Sequence, residues 1–538
     1  MKKINIACII FSVLMASGCY KDKGNYDYTD IKRVEIQFDK ISSYTITQGD
    51  VLEVNPIYPD FVLANPDNYE FTWYLNDETR PEWNTMNFKW QINDLMERGN
   101  LVIEVRDKST DVKYMNRAMV TVNGVYTNYY SWMILSDDGG KSKLSFLSVN
   151  GLLDPDSADQ PQGSDQYYYD GERFITNVYN GDLGSGPIAL QEHWREGIDY
   201  SETVIGNVCV FQKSGAVDLE GTGFTKEIDM VDAFVGQKYP ASNTVLYPGS
   251  FIQYADVVCD QDGKLYSRLK LSDNVYNSEY FLQSPLKVRG EEEVLENCRV
   301  CRGYYTSNRF GYQVVYDGKN KRFLYFQDGG SSWDTPAEGA SAIVPVKVDS
   351  KLYLEDVVHL DNHNGYELLH LCQSAATGAG WNSYYGFYEV LREEATDKLF
   401  LQQFILTKKY GADSPDIQSI TKKEIKGLPG IPSVMAFPTY NPTEYAFFAI
   451  GKKLYMVDLV NMSDAELYYE FDSDITAMDY GSSSNIHLAV GLEDGSFFVL
   501  GANAAKNIKD EHKLVYKAPE KVGKIVDIKY KNNSMWNY

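Results

Sequence analysis

The chain has 538 residues, of which 43% are hydrophobic and 23% are charged, and its formal net charge is −24. This length is too great for one ordinary domain and the composition excludes an intrinsically disordered chain. The acidic balance, with no cluster of basic residues, argues against a nucleic-acid partner, because binding to a phosphate backbone depends on clustered Lys and Arg.

The N-terminus has the pattern of an export signal. Two lysines precede an apolar run, Ile4–Met15, and the small residues Ala16–Gly18 follow it. The run is shorter than the roughly 20 residues that a membrane-spanning helix needs. Gly18 and Cys19 together resemble the cleavage site of bacterial lipoproteins, which implies that residues 1–18 are a signal peptide and that Cys19 carries the lipid. The alternative is an ordinary secretory signal followed by a chance cysteine.

The segment after Cys19 indicates where the protein acts. Residues 19–25 are polar and are predicted to form a lipidated tether. Lys21 followed by Asp22 resembles the signal that sends lipoproteins of the Bacteroidetes to the outer face of the outer membrane. This resemblance implies an outer-membrane anchor and a surface position. Because ATP and nicotinamide cofactors are scarce outside the cell, we expect no cofactor.

The remaining cysteines do not form a recognisable site. Five are left after the leader and the lipid-bearing residue, at Cys209, Cys259, Cys298, Cys301 and Cys372. An odd number leaves at least one thiol unpaired, so this is not a disulfide-framed protein. The pair Cys298 and Cys301 has no second pair or histidine nearby, and no metal site is predicted there.

Beyond the leader, short runs rich in Val, Ile, Tyr and Phe, bounded by Gly, Asn and Asp, predict an all-β protein. Residues 26–124 are predicted to form an immunoglobulin-type sandwich of six or seven strands. In this segment Phe71, Trp73 and Leu75 alternate onto one face, which makes Trp73 a core residue. The predicted strands are Ile31–Phe38, Val51–Tyr58, Tyr69–Asn76, Phe88–Ile92, Leu101–Arg106 and Tyr114–Val122.

Three segments carry a family resemblance. The sequence that opens at Cys19, the strand containing Trp73 and Tyr74, and the strand from Leu101 to Asp107 resemble the PKD-like family of Bacteroidetes lipoproteins. The resemblance covers the N-terminal fifth of the chain and implies no catalytic residue. It also implies an association with SusC- and SusD-like outer-membrane uptake systems, in which such lipoproteins capture or hold polymeric nutrients.

Residues 125–538 are dominated by a repeated hairpin. Two apolar strands flank a short turn that often contains Asp-Gly, which is a strong hairpin signal. The units predict a β-propeller of about seven blades, with Ile525–Tyr530 as a further strand that helps to close the ring. Six or eight blades, or two stacked sandwiches, are the alternatives. The hairpins begin at Trp132, Val208, Tyr254, Phe310, Tyr384, Tyr445 and Ile486.

Two clusters that suggest metal chemistry are better explained without a metal. His359, His363 and His370 lack the helical spacing and the glutamate of a zinc protease. The acidic loop from Asp154 to Asp159 lacks the spacing of a calcium loop. No catalytic motif is found, so we expect neither a catalytic nor a metal-binding residue.

Three loops combine glycine or polar residues with tryptophan. They contain Trp194, Trp333 and Trp381, and the last is followed by Tyr384 and Tyr385. Because loops run over the surface, a ring in such a loop is a candidate for binding a sugar face or a protein partner. The alternative is that each ring fills a gap between blades.

These features predict a lipid-anchored, surface-exposed binding or accessory protein, not an enzyme, with a glycan or peptide ligand and SusC/SusD-like partners. A cell-surface propeller hydrolase or lyase acting on polysaccharide or peptide is the rival hypothesis. A purely structural subunit of the uptake complex is the third. Acidic or histidine side chains gathered at the mouth of a central channel would favour the hydrolase or lyase.

Replacement of Cys19 by Ala tests the anchor. We expect the variant to be released from membranes or to keep its leader, because the acyl chains on Cys19 hold the mature protein in the bilayer. Mass spectrometry of the N-terminal peptide and membrane fractionation measure both effects. A soluble wild-type protein with an unmodified cysteine would contradict the prediction.

Overall fold

A computed structural model describes most of the chain. The described residues are 33–38, 43–127, 130–153, 168–193, 206–251, 255–270, 279–301, 312–327, 343–346, 348–353, 356–374, 384–407, 416–438, 445–481, 486–502, 510 and 513–531. The chain divides into two compact units, Met1–Asn123 (unit 1) and Gly124–Tyr538 (unit 2). Within the described ranges no helix has both the length and the apolar character needed to cross a membrane.

Unit 1 contains a four-stranded sheet in the order β1-β6-β5-β3 and a two-stranded sheet of β2 and β4. Strand β1 pairs with β6 in parallel, and the other pairs are antiparallel. A short helix, α1 (Asp60–Ala64), lies between β2 and β3. The strands are β1 (Ser43–Thr47), β2 (Val51–Val54), β3 (Tyr69–Leu75), β4 (Phe88–Gln91), β5 (Met96–Asp107) and β6 (Lys113–Asn123).

The two sheets of unit 1 face each other across one hydrophobic core, as in an immunoglobulin-like sandwich. Trp73 of β3 is fully buried there, and its ring centroid lies 5.4 Å from that of Phe88 on the other sheet. Its indole Nε1 donates a hydrogen bond to the Thr85 carbonyl at 2.9 Å. The sequence-based assignment of Trp73 to the core is therefore confirmed.

Two details of unit 1 differ from the sequence prediction. The segment predicted as a strand from Ile31 to Phe38 is described from residue 33 onward and makes only one bridge, between Gln37 and Ile57. Strand β1 was not predicted, although Tyr44 and Ile46 alternate with the polar residues of Ser43–Thr47. Its place at the edge of the four-stranded sheet is decided by its parallel pairing with β6.

Unit 2 is also all-β. The described part of it forms seven antiparallel sheets, here called sheets A to G, and a ribbon of β9 and β10. Its first strands are β7 (Trp132–Asp138), β8 (Lys141–Ser148), β9 (Gly151–Leu153), β10 (Tyr168–Asp170) and β11 (Arg173–Ile175). Sheet B consists of β12 (Pro187–His193), β13 (Asn207–Gln212), β14 (Val217–Leu219) and β15 (Lys226–Asp229), and sheet C of β16 (Leu246–Phe251), β17 (Ala255–Asp260) and β18 (Leu265–Leu269).

Sheets D to G follow in chain order, each a four-stranded meander. Sheet D consists of β19 (Cys298–Val300), β20 (Tyr312–Asp317), β21 (Arg322–Gln327) and β22 (Ile343–Pro345). Sheet E consists of β23 (Tyr366–Ser374), β24 (Tyr384–Glu393), β25 (Leu399–Thr407) and β26 (Asp416–Ile425). Sheet F consists of β27 (Val434–Ala436), β28 (Tyr445–Ile450), β29 (Lys453–Asp458) and β30 (Glu466–Glu470), and sheet G of β31 (Ile475–Tyr480), β32 (His487–Leu492), β33 (Phe497–Gly501) and β34 (Leu514–Lys517).

Sheet A joins the two ends of unit 2. Its order is β11-β8-β7-β35, where β35 (Lys524–Tyr530) is the last described strand of the chain. Strand β35 runs antiparallel to β7, with Tyr530 opposite Trp132. Strand β35 is here counted as the first strand of sheet A. With this numbering, each of the seven predicted hairpins is present and forms the second and third strands of its sheet.

Sheet C has an irregular fourth element in place of a strand. Three amide groups in residues 279–286 donate hydrogen bonds to carbonyls of β18. They are Glu279 to Leu269 at 2.6 Å, Leu282 to Ser267 at 3.0 Å and Leu286 to Leu265 at 2.8 Å. This segment covers the β18 edge, which would otherwise expose unpaired backbone groups.

A recurring hydrogen bond, here called the turn staple, joins one sheet to the next. The turn between the second and third strands of a sheet contains a residue with positive φ. The carbonyl of that residue accepts a hydrogen bond from a backbone amide of the following sheet. The donor is the first residue of that sheet's first strand or lies up to three residues before it. The five pairs, donor first, are Gly186 to Gly140 at 3.0 Å, Cys298 to Gly263 at 3.2 Å, His363 to Lys321 at 2.8 Å, Ile475 to Gly451 at 3.0 Å and Val522 to Gly495 at 3.0 Å.

Two of these staples require glycine for space as well as for φ. A Cβ on Gly263 would lie 2.5 Å from the Cys298 amide nitrogen, and one on Gly495 would lie 2.6 Å from the Val522 carbonyl oxygen. Backbone atoms cannot move aside as a flexible side chain can. The Asp-Gly pairs that signal these hairpins in the sequence therefore also bring consecutive sheets together.

Replacement of Gly495 by Ala tests the close approach. Gly365 is the matched control, because both residues have φ of +86° but a Cβ on Gly365 would meet nothing within 4 Å. Gly365→Ala carries only the backbone strain, about 1–2 kcal/mol. We expect Gly495→Ala to lose about 1–3 kcal/mol more, as overpacked sites do. Urea unfolding measures both, and equal losses would contradict the turn staple as a steric constraint.

Candidate functional site

The first strands of neighbouring sheets run side by side in the same direction. Between β31 and β35, Thr476 Oγ1 donates to the Ile525 carbonyl at 2.6 Å and the Tyr530 amide donates to Asp479 at 2.8 Å. Residue numbers increase in the same direction along both strands, so β31 and β35 run parallel to each other. The turn staples show the same direction elsewhere, because the amide at the start of a first strand meets the turn of the preceding sheet.

This common direction gives unit 2 two different ends. At one end, here called the turn end, the second and third strands are joined by two to five residues. The other end is here called the loop face, because the first-to-second and third-to-fourth connections leave there. These include residues 194–206, 301–311, 328–342 and 375–383.

The tryptophans singled out in the sequence all fall in loop-face connections. Trp194 follows the last residue of β12, Trp333 lies in the chain between β21 and β22, and Trp381 precedes β24. All three lie outside the described residues, as does Cys19. Tyr384 and Tyr385 are the first residues of β24 and pair with Thr407 and Leu406. The described strand ends that flank these three segments lie at the loop face. The exposure of the three tryptophans there stays a prediction.

The three histidines considered for metal binding have different surroundings. His363 is fully buried and its Nε2 lies 2.9 Å from Glu389 Oε2. His359 stacks on Tyr353 with ring centroids 3.7 Å apart, and His370 stacks on Phe437 at 5.5 Å. Among the described residues no group of three or more His, Cys, Asp or Glu side chains is placed to hold a metal ion.

A buried ionic cluster, not anticipated from the sequence, lies near the loop face of sheets B and C. His193 Nε2 is 2.8 Å from Asp218 Oδ1, and because a carboxylate only accepts, this nitrogen carries the proton. In the neighbouring sheet the buried Asp256 lies 2.8 Å from Arg268 and 3.2 Å from Lys270. Each of the two buried carboxylates therefore has a hydrogen-bonded or charged partner, as burial requires.

Electrostatic coupling joins the two halves of this cluster. Burial by itself would raise the pKa of the Asp218 carboxyl, but His193, and Arg268 from sheet C, outweigh it and hold the pKa below its usual value. The His193 ring also stacks on Phe251, at 4.9 Å, where β16 ends. These pairs bind sheet B to sheet C directly beneath the loop face.

A second set of buried charges surrounds β35. Lys529 Nζ lies 3.0 Å from Asp479 of β31, and the Leu190 amide of β12 donates to Asp527 at 2.9 Å. Lys531 is fully buried, 3.7 Å from Glu192, and burial lowers the pKa of its ammonium group. Strand β35 is therefore tied on both sides to the first strands of sheets G and B.

A cavity of about 330 Å³ lies between the first strands of sheets E, F, G and A. Its wall includes His370, Cys372, Thr476, Asp479 and Lys529. Asp479 and Lys529 are paired with each other in this wall. The polar and apolar groups of the wall suit a small polar occupant, and the ion pair stabilises the wall itself.

Comparison with known proteins gives one family match. Residues 19–180 match the PKD-like family, which takes in the described strands of unit 1 and continues through β7 to β11 of unit 2. The resemblance of the N-terminal segments to the PKD-like family is thereby confirmed. No curated protein sequence matches the chain.

Solved structures give distant likenesses. Apo AztD from Citrobacter koseri is 11% identical, with a TM-score of 0.33, over 86% of this chain and 98% of that chain. A chain of the mitotic checkpoint complex is 9% identical, with a TM-score of 0.30, over 70% of this chain and 89% of that chain. The PKD-like match is therefore the comparison that bears on this protein.

Replacement of Asp218 by Asn tests the buried ionic cluster. The fold lowers the pKa of the Asp218 carboxyl. The ionised carboxylate therefore stabilises the protein above the usual aspartate pKa of about 4, and this contribution is lost as the pH falls through the folded-state pKa. We expect the variant to lose about 1–3 kcal/mol at neutral pH, and the difference from wild type to shrink towards acid pH.

Chemical unfolding between pH 3 and pH 7 measures this difference. Asp510→Asn is the control, since Asp510 is exposed and its ion pair with Lys513, at 2.7 Å, contributes little. A difference between Asp218→Asn and wild type that stays constant with pH would show that the charge of Asp218 is not the source.

Proposed function

We propose that the protein is a lipid-anchored, surface-exposed binding protein of a SusC/SusD-like outer-membrane uptake system. In this proposal Cys19 carries the anchor and the sandwich of unit 1 follows it in the chain. Unit 2 is a seven-bladed β-propeller that presents its loop face to a glycan or peptide ligand or to the partner. The protein performs no chemistry on what it binds.

The propeller rests on sheet order and on the turn staple. Seven successive antiparallel sheets, with a turn staple at five of the joints between them, fit the radial repetition of blades. The pairing of β35 with β7 places the last described strand and the first strand of unit 2 in one sheet. Such a sheet leaves no open end in the ring of blades.

The binding role rests on one observation, which is the common direction of the first strands of unit 2. The turns between second and third strands lie at the turn end, as do the connections from one sheet to the next. The first-to-second and third-to-fourth connections leave the strands at the loop face, and their sequence contains Trp194, Trp333 and Trp381. Binding residues typically lie on loops that a rigid scaffold positions, and large aromatic side chains are frequent binding anchors.

The surroundings of the buried acids favour binding over hydrolysis. Asp256 pairs with two cations, Asp479 with Lys529 and a backbone amide, and Glu389 with His363 and Gln402. Each of these contacts joins strands or sheets. Acids held in this way stabilise a scaffold, whereas a glycosidase needs a pair of carboxyl groups set apart by the width of a sugar linkage.

Replacement of Trp381 by Ala tests the loop face. The membrane-anchored protein is solubilised in detergent, whatever co-purifies is identified, and its affinity for wild type and variant is compared. We expect the variant to bind about thirtyfold more weakly with an unchanged melting temperature, because truncation of an aromatic anchor costs about 2 kcal/mol or more. Trp381→Phe keeps a ring and is expected to retain most of the affinity.

A different result would show that the ring is structural. A tryptophan that fills a gap between blades costs roughly 3–5 kcal/mol of stability when it is truncated. Trp381→Ala would then melt far lower while its folded fraction bound normally, and Trp381 would not belong to the binding surface.

A further inference from the structure

A second concave surface lies at the turn end, away from the loop face. This cavity of about 460 Å³, here called the C–D cleft, lies between the turn of sheet C and the first strand of sheet D. It is bounded by Tyr247 and Pro248 of β16, by residues 259–263 and by residues 297–300. All of these residues are described by the structure. The volume lies in the range of small-ligand sites.

Tyr247 supplies an aromatic surface at the cleft. It is the second residue of β16 and 36% of it is exposed, which makes it one of the few exposed large hydrophobic residues of unit 2. The hydroxyl group makes no hydrogen bond within the described residues. A ring with an accessible face and an unused hydroxyl can pack against a flat apolar surface and bond to a polar group at its rim.

Two side chains beside this ring have unused hydrogen-bonding capacity. Gln261 Oε1 accepts from the Val245 amide at 2.7 Å, which leaves its NH₂ group as a donor. Arg299 is not one of them, because its guanidinium donates to the Leu368 carbonyl of sheet E at 2.5 Å, on the other side of sheet D. The exposed Asn297 amide offers both a donor and an acceptor.

Two thiols and one carboxylate line the interior of the C–D cleft. The Asp260 carboxylate is used within its own turn, where it accepts from the Asp262 and Lys264 amides, each at 2.9 Å. Cys259 and Cys298 supply the thiols, both buried, and the Cys259 Sγ is 3.9 Å from the Cys298 carbonyl oxygen. Burial raises the pKa of the Cys259 thiol to about 12, so it stays protonated. The thiols are small, weakly polar groups that suit contact with carbon atoms.

Charged side chains beside the cleft are paired with one another. Lys264 lies 3.7 Å from both Asp262, which lines the cleft, and Glu296. The chain as a whole carries a net charge of −24, which repels an anionic polymer. A ligand with many hydroxyl groups and no net charge matches this mixture of donors, acceptors and one aromatic ring.

We propose that the C–D cleft binds a neutral saccharide, with a sugar ring packed on Tyr247 and its hydroxyl groups bonded by Gln261 and Asn297. A peptide fits less well, because the cleft has planar polar groups at its rim and no deep apolar pocket for a side chain. This site is separate from the loop face and goes beyond the function proposed above.

The test measures the binding of neutral glucose, mannose and xylose trisaccharides to the full-length protein by calorimetry. A uronic-acid trisaccharide and a tripeptide are run beside them. We expect at least one neutral trisaccharide to bind, and Tyr247→Ala to weaken that binding about tenfold or more. Tyr280→Ala is the matched control, since Tyr280 is 41% exposed and lies outside the C–D cleft.

Two further variants remove polar contacts while preserving the fold. Asn297 has φ of +56°, so Asn297→Gly deletes the amide without backbone strain. Gln261→Glu keeps the acceptor for the Val245 amide and removes the NH₂ donor. Each is expected to weaken binding about threefold to tenfold, as loss of one hydrogen bond does.

Three outcomes would overturn this inference. They are the absence of binding by every neutral trisaccharide, stronger binding of the uronic-acid trisaccharide or the tripeptide, and sugar binding that Tyr247→Ala and Asn297→Gly leave unchanged. Trp381→Ala separates the two proposals, because it is expected to leave binding in the C–D cleft intact. Sugar binding that is lost in Trp381→Ala and kept in Tyr247→Ala would place the sugar at the loop face and overturn the cleft alone.

Discussion

The turn staple is the contact on which the arrangement of unit 2 depends. A residue with positive φ turns its carbonyl away from its own hairpin, and an amide at the start of the next sheet bonds to it. The same contact recurs between five pairs of consecutive sheets. It sets where each sheet begins relative to the one before, and so it gives the first strands a common direction.

This common direction separates the hairpin turns from the other connections within each sheet. The turns between second and third strands have two to five residues and lie beside the joints between sheets. The first-to-second and third-to-fourth connections leave the strands at the opposite end. A protein built in this way can change its loop-face residues without disturbing the contacts that hold its sheets together.

Buried charges also join neighbouring sheets. Sheets B and C have no turn staple among the described residues, and there the cluster of His193 with Asp218 and Asp256 with Arg268 joins the two sheets. The two ends of unit 2 are joined by β35, which Asp527, Lys529 and Lys531 connect to neighbouring sheets in addition to the turn staples there. Ion pairs of this kind cost desolvation free energy and are specific in geometry, so they suit joints where register must be unique.

The local pattern of the sequence determined the central hairpins and the core of unit 1. Trp73 and the seven hairpins, six of which have a glycine in the turn, could be recognised because doubly buried strands are continuously apolar and tight turns need particular residues. Only the tertiary structure decided the outer strands, the turn staples, the ionic cluster and the C–D cleft. Three of these features depend on residues far apart in the chain: the place of strand β1, the pairing of β35 with β7, and the meeting of Tyr247 with Asn297 in one cleft. No short-range pattern in the sequence specifies which distant partner a strand end or a charged side chain will meet.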